Sequence, residues 1–148
     1  MTYESIHEKH EKMMSCELCN TTGETLLWRG ELCRVMLIED ADYPGFCRAI
    51  CNRHVKEMTD LNADEQHAFM NVVFVVESAL REVMQPDKIN LASLGNMTPH
   101  LHWHIIPRYV LDKHFPNPIW GKPQRASIPK PPLDWQARLS QSIRQRLQ

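Results

Sequence analysis

His100-Leu101-His102-Trp103-His104 sets three imidazoles at strict alternation and is followed by the apolar pair Ile105-Ile106. Alternation is the period of a β-strand, so an extended backbone places the three rings on one face. Imidazole serves near neutral pH as nucleophile, proton acceptor or metal ligand. Three of the eight histidines of the chain fall in this stretch, which marks a chemical site rather than scattered core or surface residues. At ~3.3 Å of rise per residue the outer two backbones stand ~13 Å apart, too far for one regular strand to wrap all three around a single ion. At most two neighbours share a metal. The remaining chemistry is covalent or acid–base: one imidazole attacks, another gives or takes a proton, and each tunes the other.

The elements that must carry such a site can be read from periodicity. Glu24 to Arg29 and Leu32 to Ile38, separated by Gly30-Glu31, read as a hairpin, with the faces of the second strand left open by Arg34. The acidic stretch Glu39 to Gly45 reads as a turn and Phe46 to Cys51 as a third strand. From Asp60 as cap to Met84, the residues Phe69, Val73, Val76, Leu80 and Val83 recur at helical spacing, and Gln85-Pro86-Asp87 ends the helix. Lys88 to Leu94 then reads as a strand, Gly95 to Pro99 as a turn, and Leu101 to Arg108 as the strand bearing the histidines. The expectation is an α+β domain over residues 1–110, an antiparallel sheet of about five strands with one long helix packed on it. Six of the ten prolines lie between Pro116 and Pro132, so residues 111–148 are expected to be a surface-wrapping tail. It ends in a short amphipathic helix, marked by Trp135, Leu139, Ile143 and Leu147, that docks on the domain or on a second subunit.

A chain of 148 residues with 43% hydrophobic content supports one domain with an ordinary core. Seventeen basic against eighteen acidic residues give a net charge of −1, which argues against nucleic acid or an anionic membrane as partner. Met1 to His10 lacks the apolar centre of an export signal, and no run approaches the ~18 apolar residues of a membrane span, so the expected location is cytoplasmic. Five cysteines, an odd number, fit reduced thiols or metal ligands better than a disulfide framework. Cys33, Cys47 and Cys51 sit in strand-like runs and are expected to be buried as small hydrophobes.

His100-Leu101-His102-Trp103-His104-Ile105-Ile106 resembles the signature of the histidine triad (HIT) family, in which three histidines alternate with apolar residues and two apolar residues follow. Asn90, ten residues upstream, and Gly95-Asn96, where members often carry Gly-Gln, agree with it, and the resemblance covers Cys16 to about Arg108. It implies a HIT-like fold and similarity to the bacterial diadenosine tetraphosphate hydrolase-like members. By analogy His102 is the nucleophile on the α-phosphorus of a nucleotide, His104 contacts the phosphate, and His100 holds or polarises the site. Asn90, Gly95, Asn96, Thr98 and, in the acidic turn, Asp40 are the implied contacts to phosphate or ribose. Members often carry a small hydroxyl residue three places before the triad, where this chain has Met97, with Thr98 beside it. The family also implies a homodimer.

Cys16-Glu17-Leu18-Cys19 has the spacing with which two thiolates grip one zinc ion. In zinc-bearing relatives the other two ligands follow the third strand and open the triad, here His54 and His100. The alternative is two reduced cysteines in a small apolar cluster with His54 at the surface. No organic cofactor is expected. The chain has neither a Gly-Lys-Ser/Thr phosphate loop nor an obvious magnesium cluster, so backbone amides around Gly95 to Pro99, His104 and Arg108 are the expected anion holders. The expected activity is hydrolysis at the α-phosphate of a dinucleoside polyphosphate or nucleoside phosphoramidate. Nucleotidyl transfer, a regulatory nucleotide-binding protein with incidental turnover, and a metalloenzyme using a His-x-His pair remain the alternatives.

Overall fold

The computed structural model describes residue 8 and residues 15–148. Apart from Glu8, the Met1 to His10 stretch behind the expected cytoplasmic location lies outside them. Strands β1 (Thr25–Arg29), β2 (Cys33–Leu37), β3 (Cys47–Cys51), β4 (Lys88–Ala92) and β5 (His102–Arg108) form one antiparallel sheet in the order β1-β2-β3-β5-β4. Helices α1 (Ala63–Met84) and α2 (Trp135–Arg146) complete it. Among the described residues no helix is long and apolar enough to cross a membrane.

Register sorts the sheet into two faces. Cys33, Val35 and Leu37 of β2, Cys47, Ala49 and Cys51 of β3, and Ile105 of β5 point one way and pack in a single core with Phe69, Val72, Val73, Val76, Leu80 and Val83 of α1. The three cysteines are therefore core residues, and all five in the chain are free thiols. The other face carries Arg34, Arg48, Asn90, His102, His104 and Arg108. It is closed at one end by Tyr43, Phe46 and Ile106, with Ile119 packed on them. Gly45 sits at φ +92°, and an added Cβ there would lie 3.2 Å from Leu80 and Met84, so only glycine lets the chain turn tightly over α1 before Phe46 enters that cluster.

One expectation is corrected. The cap of α1 is Asn62, whose side chain accepts from Glu65 N–H at 2.9 Å while Glu65 returns to Asn62 N–H. Asp60 instead closes a separate 3₁₀ turn, Met58–Asp60, by accepting from the backbone of Lys56 and Glu57. On α1 Val72 is buried in the core, and Phe74 is the exposed apolar residue. The C-terminal helix docks on its own domain: Leu139 and Ile143 are fully buried in the main core, and Arg144 Nε donates to the Leu27 carbonyl of edge strand β1 at 3.0 Å.

Candidate active site

The triad divides into one and two. His100 lies in the turn before β5, and its ring leaves the other two for a cluster with Cys16, Cys19 and His54, whose ligand atoms all lie within 4.8 Å of one another. His102 and His104 stay together on β5 with ring centroids 4.8 Å apart, edge to face. All three are buried.

His102 and His100 are each oriented by a carbonyl that can only accept. His102 Nδ1 lies 2.5 Å from the His100 carbonyl, so Nδ1 carries the proton and Nε2 presents its lone pair. His100 Nε2 lies 2.7 Å from the Cys51 carbonyl, so its Nδ1 is the free lone pair, and this atom faces the cluster. Burial pushes both residues below the ordinary imidazole range. His104 goes further, down to about 3, through burial first and then the nearby His102 and Arg48. The pair on β5 is therefore neutral at pH 7.

Around His100 the Nδ1 atom stands 3.5 Å from each of the Cys16 and Cys19 sulfurs and 3.1 Å from His54 Nδ1, and Cys19 Sγ stands 3.3 Å from His54 Nδ1. A tetrahedral ion with bonds of ~2.0–2.3 Å has ligand–ligand edges of about 3.3–3.8 Å, so two sulfurs and two imidazoles are nearly in place for one. Without a cation to stabilise thiolate, burial and the Cys16 neighbour push Cys19 up to about 11. The segment is held to the sheet by Arg34, the residue whose face the sequence left open. Arg34 grips Glu24 through Nε at 2.9 Å and donates to the Leu18 carbonyl, inside the Cys-x-x-Cys stretch, at 2.8 Å.

The expected phosphate and ribose contacts are placed less uniformly. Asn90 shares the face of His104, one pair further along β4 and β5, and its Oδ1 accepts from Arg108 at 2.6 Å. Gly95, Asn96 and Thr98 lie in the β4–β5 loop, where Gly95 adopts φ +68° and the Thr98 carbonyl accepts from His100 N–H at 2.8 Å. Asp40 lies in the β2–β3 loop and uses Oδ1 on Asp42 N–H at 2.9 Å. Arg108 does not join the expected anion holders. It is 2% exposed and is occupied by both oxygens of Asp112, by Asn90 and by the Asn117 carbonyl.

Two residues of the site were not found from the sequence. Trp120, in the proline-rich segment, sets its ring edge-on to His104 with centroids 4.9 Å apart while remaining half exposed. Arg48 is the Cα partner of His104 across β3 and β5. A charged residue inside the apolar run Phe46 to Cys51 was the available signal for Arg48. The contact of Trp120 depends on how the loop after β5 returns and leaves no periodic trace.

A profile of the HIT domain matches residues 21–111. Among solved structures the chain is similar to a histidine triad protein from Bradyrhizobium japonicum at 30% identity, over 84% of this chain and 91% of that one, with a TM-score of 0.68. It is similar to another from Marinobacter aquaeolei at 29% identity, over 84% and 88%, with a TM-score of 0.66. A zinc-bound histidine triad family protein from Mycobacterium smegmatis, at 19% identity over 90% and 96%, shares the fold with a TM-score of 0.64. Comparison with curated protein sequences gives no match. With the profile spanning most of the sheet and all three histidines, and with a relative this similar along most of its length, the chain belongs to the histidine triad family, a nucleotide-binding, hydrolase-type family.

Proposed function

We propose that the protein is a nucleotide hydrolase that cleaves at the α-phosphate of a dinucleoside polyphosphate or a nucleoside phosphoramidate through a nucleotidyl-His102 intermediate. The observation that carries this reading is the 2.5 Å contact from His102 Nδ1 to the His100 carbonyl, which turns the Nε2 lone pair away from the backbone. Nε2 attacks phosphorus in line, the bond from phosphorus to the leaving oxygen or nitrogen breaks, and its electron pair departs with the leaving group, a leaving nitrogen taking up a proton from solvent as it goes. Water then attacks the same phosphorus, the N–P bond breaks, and its pair returns to Nε2 while the proton of the water is lost to solvent. The backbone carbonyl of His100 stabilises the positive charge that His102 bears between the two steps.

Neutral His104 donates a hydrogen bond to a non-bridging oxygen, and the backbone N–H groups of Gly95 to Thr98 with the Asn96 side chain hold the phosphate from the loop side. Asn90, its amide fixed by Arg108, offers Nδ2 as a donor, and Asp40 accepts from ribose hydroxyls. Because burial keeps His102 below the ordinary imidazole range, the nucleophile stays unprotonated at pH values where a free imidazole charges. The Cys16, Cys19, His54 and His100 cluster fits a structural zinc site: four protein donors close the tetrahedron and leave no position for substrate. Zinc there would tie the N-terminal turn to the strand that bears the nucleophile. The Mycobacterium smegmatis protein, which shares the fold, is zinc-bound, in agreement with this assignment.

The test is intact-protein mass after rapid mixing with diadenosine polyphosphates and with adenosine phosphoramidate. A transient adduct of one adenylate is expected on the wild type and none on His102→Ala. A His102→Ala protein that keeps a tenth or more of wild-type kcat overturns the covalent mechanism.

A further inference from the structure

Four arginines lie on the histidine face of the sheet; Arg29, opposite Arg34 on edge strand β1, is exposed to solvent, and two of the other three are saturated. Arg34 has both Glu24 oxygens and the Leu18 carbonyl. Arg108 has both Asp112 oxygens, Asn90 and the Asn117 carbonyl. Arg48, in the centre of the face, has none of this: its Nε is buried without a hydrogen-bond partner, and no ion pair engages it among the described residues. Its guanidinium only overlies the Phe46 ring at 5.9 Å. Directly across the strand pair, His104 Nδ1 is likewise buried without a partner. Residues so paired in an antiparallel sheet hold their Cβ atoms ~4.5–5.5 Å apart on the same side. A permanent cation half-buried beside an unpaired imidazole nitrogen is unfavourable in the free protein, and an anion that accepts from both removes the penalty.

We propose that Arg48 is the charged phosphate ligand of this site, its guanidinium donating to the non-bridging oxygens of the α-phosphate that His102 attacks. The inference rests on the nucleotide-hydrolase reading and supplies what that reading lacked, a fixed positive charge. Arg34 is consumed by Glu24, Arg108 is consumed by Asp112, and the β4–β5 loop offers only dipoles. A guanidinium stays charged at every working pH, and its planar fork matches two oxygens on one phosphorus. The carboxylate of Glu17 acts on Arg48 only at a distance, from an exposed turn, so the guanidinium is not spent on it.

The test compares full-length wild type, Arg48→Lys, Arg48→Met and His102→Ala by calorimetric titration with adenosine monophosphate, alongside thermal melting of each protein without ligand. Arg48→Met is expected to bind at least about tenfold more weakly, with Arg48→Lys between it and the wild type because a point charge replaces the fork. His102→Ala is expected to bind within a few fold of wild type. The melting temperature of Arg48→Met should hold or rise, since it removes an unpaired charge, whereas a structural arginine would lower it. Equal affinity of Arg48→Met and wild type, or weaker binding accompanied by a lowered melting temperature in both Arg48 variants, overturns the proposal. A wild type that binds no adenosine monophosphate overturns the nucleotide reading as well, and so separates the two failures.

Discussion

Asp112→Ala should unfold the segment that closes the site. The carboxylate is 5% exposed and accepts from six donors: Arg108 Nε at 2.7 Å and NH2 at 3.0 Å, the Tyr43 hydroxyl at 3.3 Å, and the backbone N–H groups of Tyr109, His114 and Phe115 at 3.1, 3.0 and 2.8 Å. Removing it strands a guanidinium that is 2% exposed, a loss of about 3–5 kcal/mol for a buried pair broken from one side. At roughly 2–4 °C per kcal/mol for a domain of this size, the melting temperature should fall by about 6–20 °C, read by circular dichroism or differential scanning fluorimetry. Arg108→Met with Asp112→Leu removes both charges and should recover much of the loss, because the two sites are coupled. Burial pushes the Asp112 carboxyl up, but Arg108 and the three N–H groups outweigh it and hold it down at about 2, below the ordinary 3.8. A depressed carboxyl contributes stability that is present above its unfolded value and is lost as pH falls through the folded one. The gap in melting temperature between wild type and Asp112→Asn should therefore close between about pH 4 and pH 2. A fall of less than about 2 °C for Asp112→Ala at pH 7, or a double variant no better than the single, refutes the reasoning.

Protein purified without chelator should hold close to one zinc per chain, and Cys19→Ser should lose the metal and melt several degrees lower; well under one zinc in the wild type by elemental analysis removes the site. Trp120→Ala should open one side of His104 to water and raise its titration point from about 3 toward the ordinary imidazole range, followed by NMR; an unmoved titration means the indole does not shield the ring. The chain should be a homodimer with a light-scattering mass about twice 17.3 kDa, since β4 is an open sheet edge and Phe74 an exposed aromatic on α1. Phe74→Glu should then shift the mass toward one chain, and a concentration-independent mass near 17.3 kDa for the wild type rules the dimer out.

Much of the scaffold was legible because alternation and the helical period are local signals. The five strands fall where short apolar runs alternate, within two residues of their ends, and α1 follows Phe69, Val73, Val76, Leu80 and Val83. Its start was misplaced because Asp60 and Asn62 are both good caps, and only the three-dimensional path shows Asp60 spent on Lys56 and Glu57. Charged residues were the harder case. Arg34, Arg48 and Arg108 occupy equivalent places on one face, yet their roles differ by which carboxylate lies near, Glu24, none and Asp112 respectively. That depends on loop return, as does the contact of Trp120 with His104. His100 is the instructive residue of the motif: strict alternation put it beside His102, but the strand begins after it and frees its ring to turn elsewhere.

His100 also belongs to two circuits through a single amino acid. Its imidazole faces two sulfurs and a second imidazole, while its carbonyl oxygen accepts from His102 Nδ1. The path from the cluster to the His102 ring is therefore one residue and one hydrogen bond. By thermodynamic linkage, any free energy that an ion gains from an ordered His102 is returned as tighter holding of phosphate when the ion is present. A cluster that staples the N-terminal turn would then also set the His102 ring, with its occupancy read out as a change in nucleotide affinity rather than in folding alone.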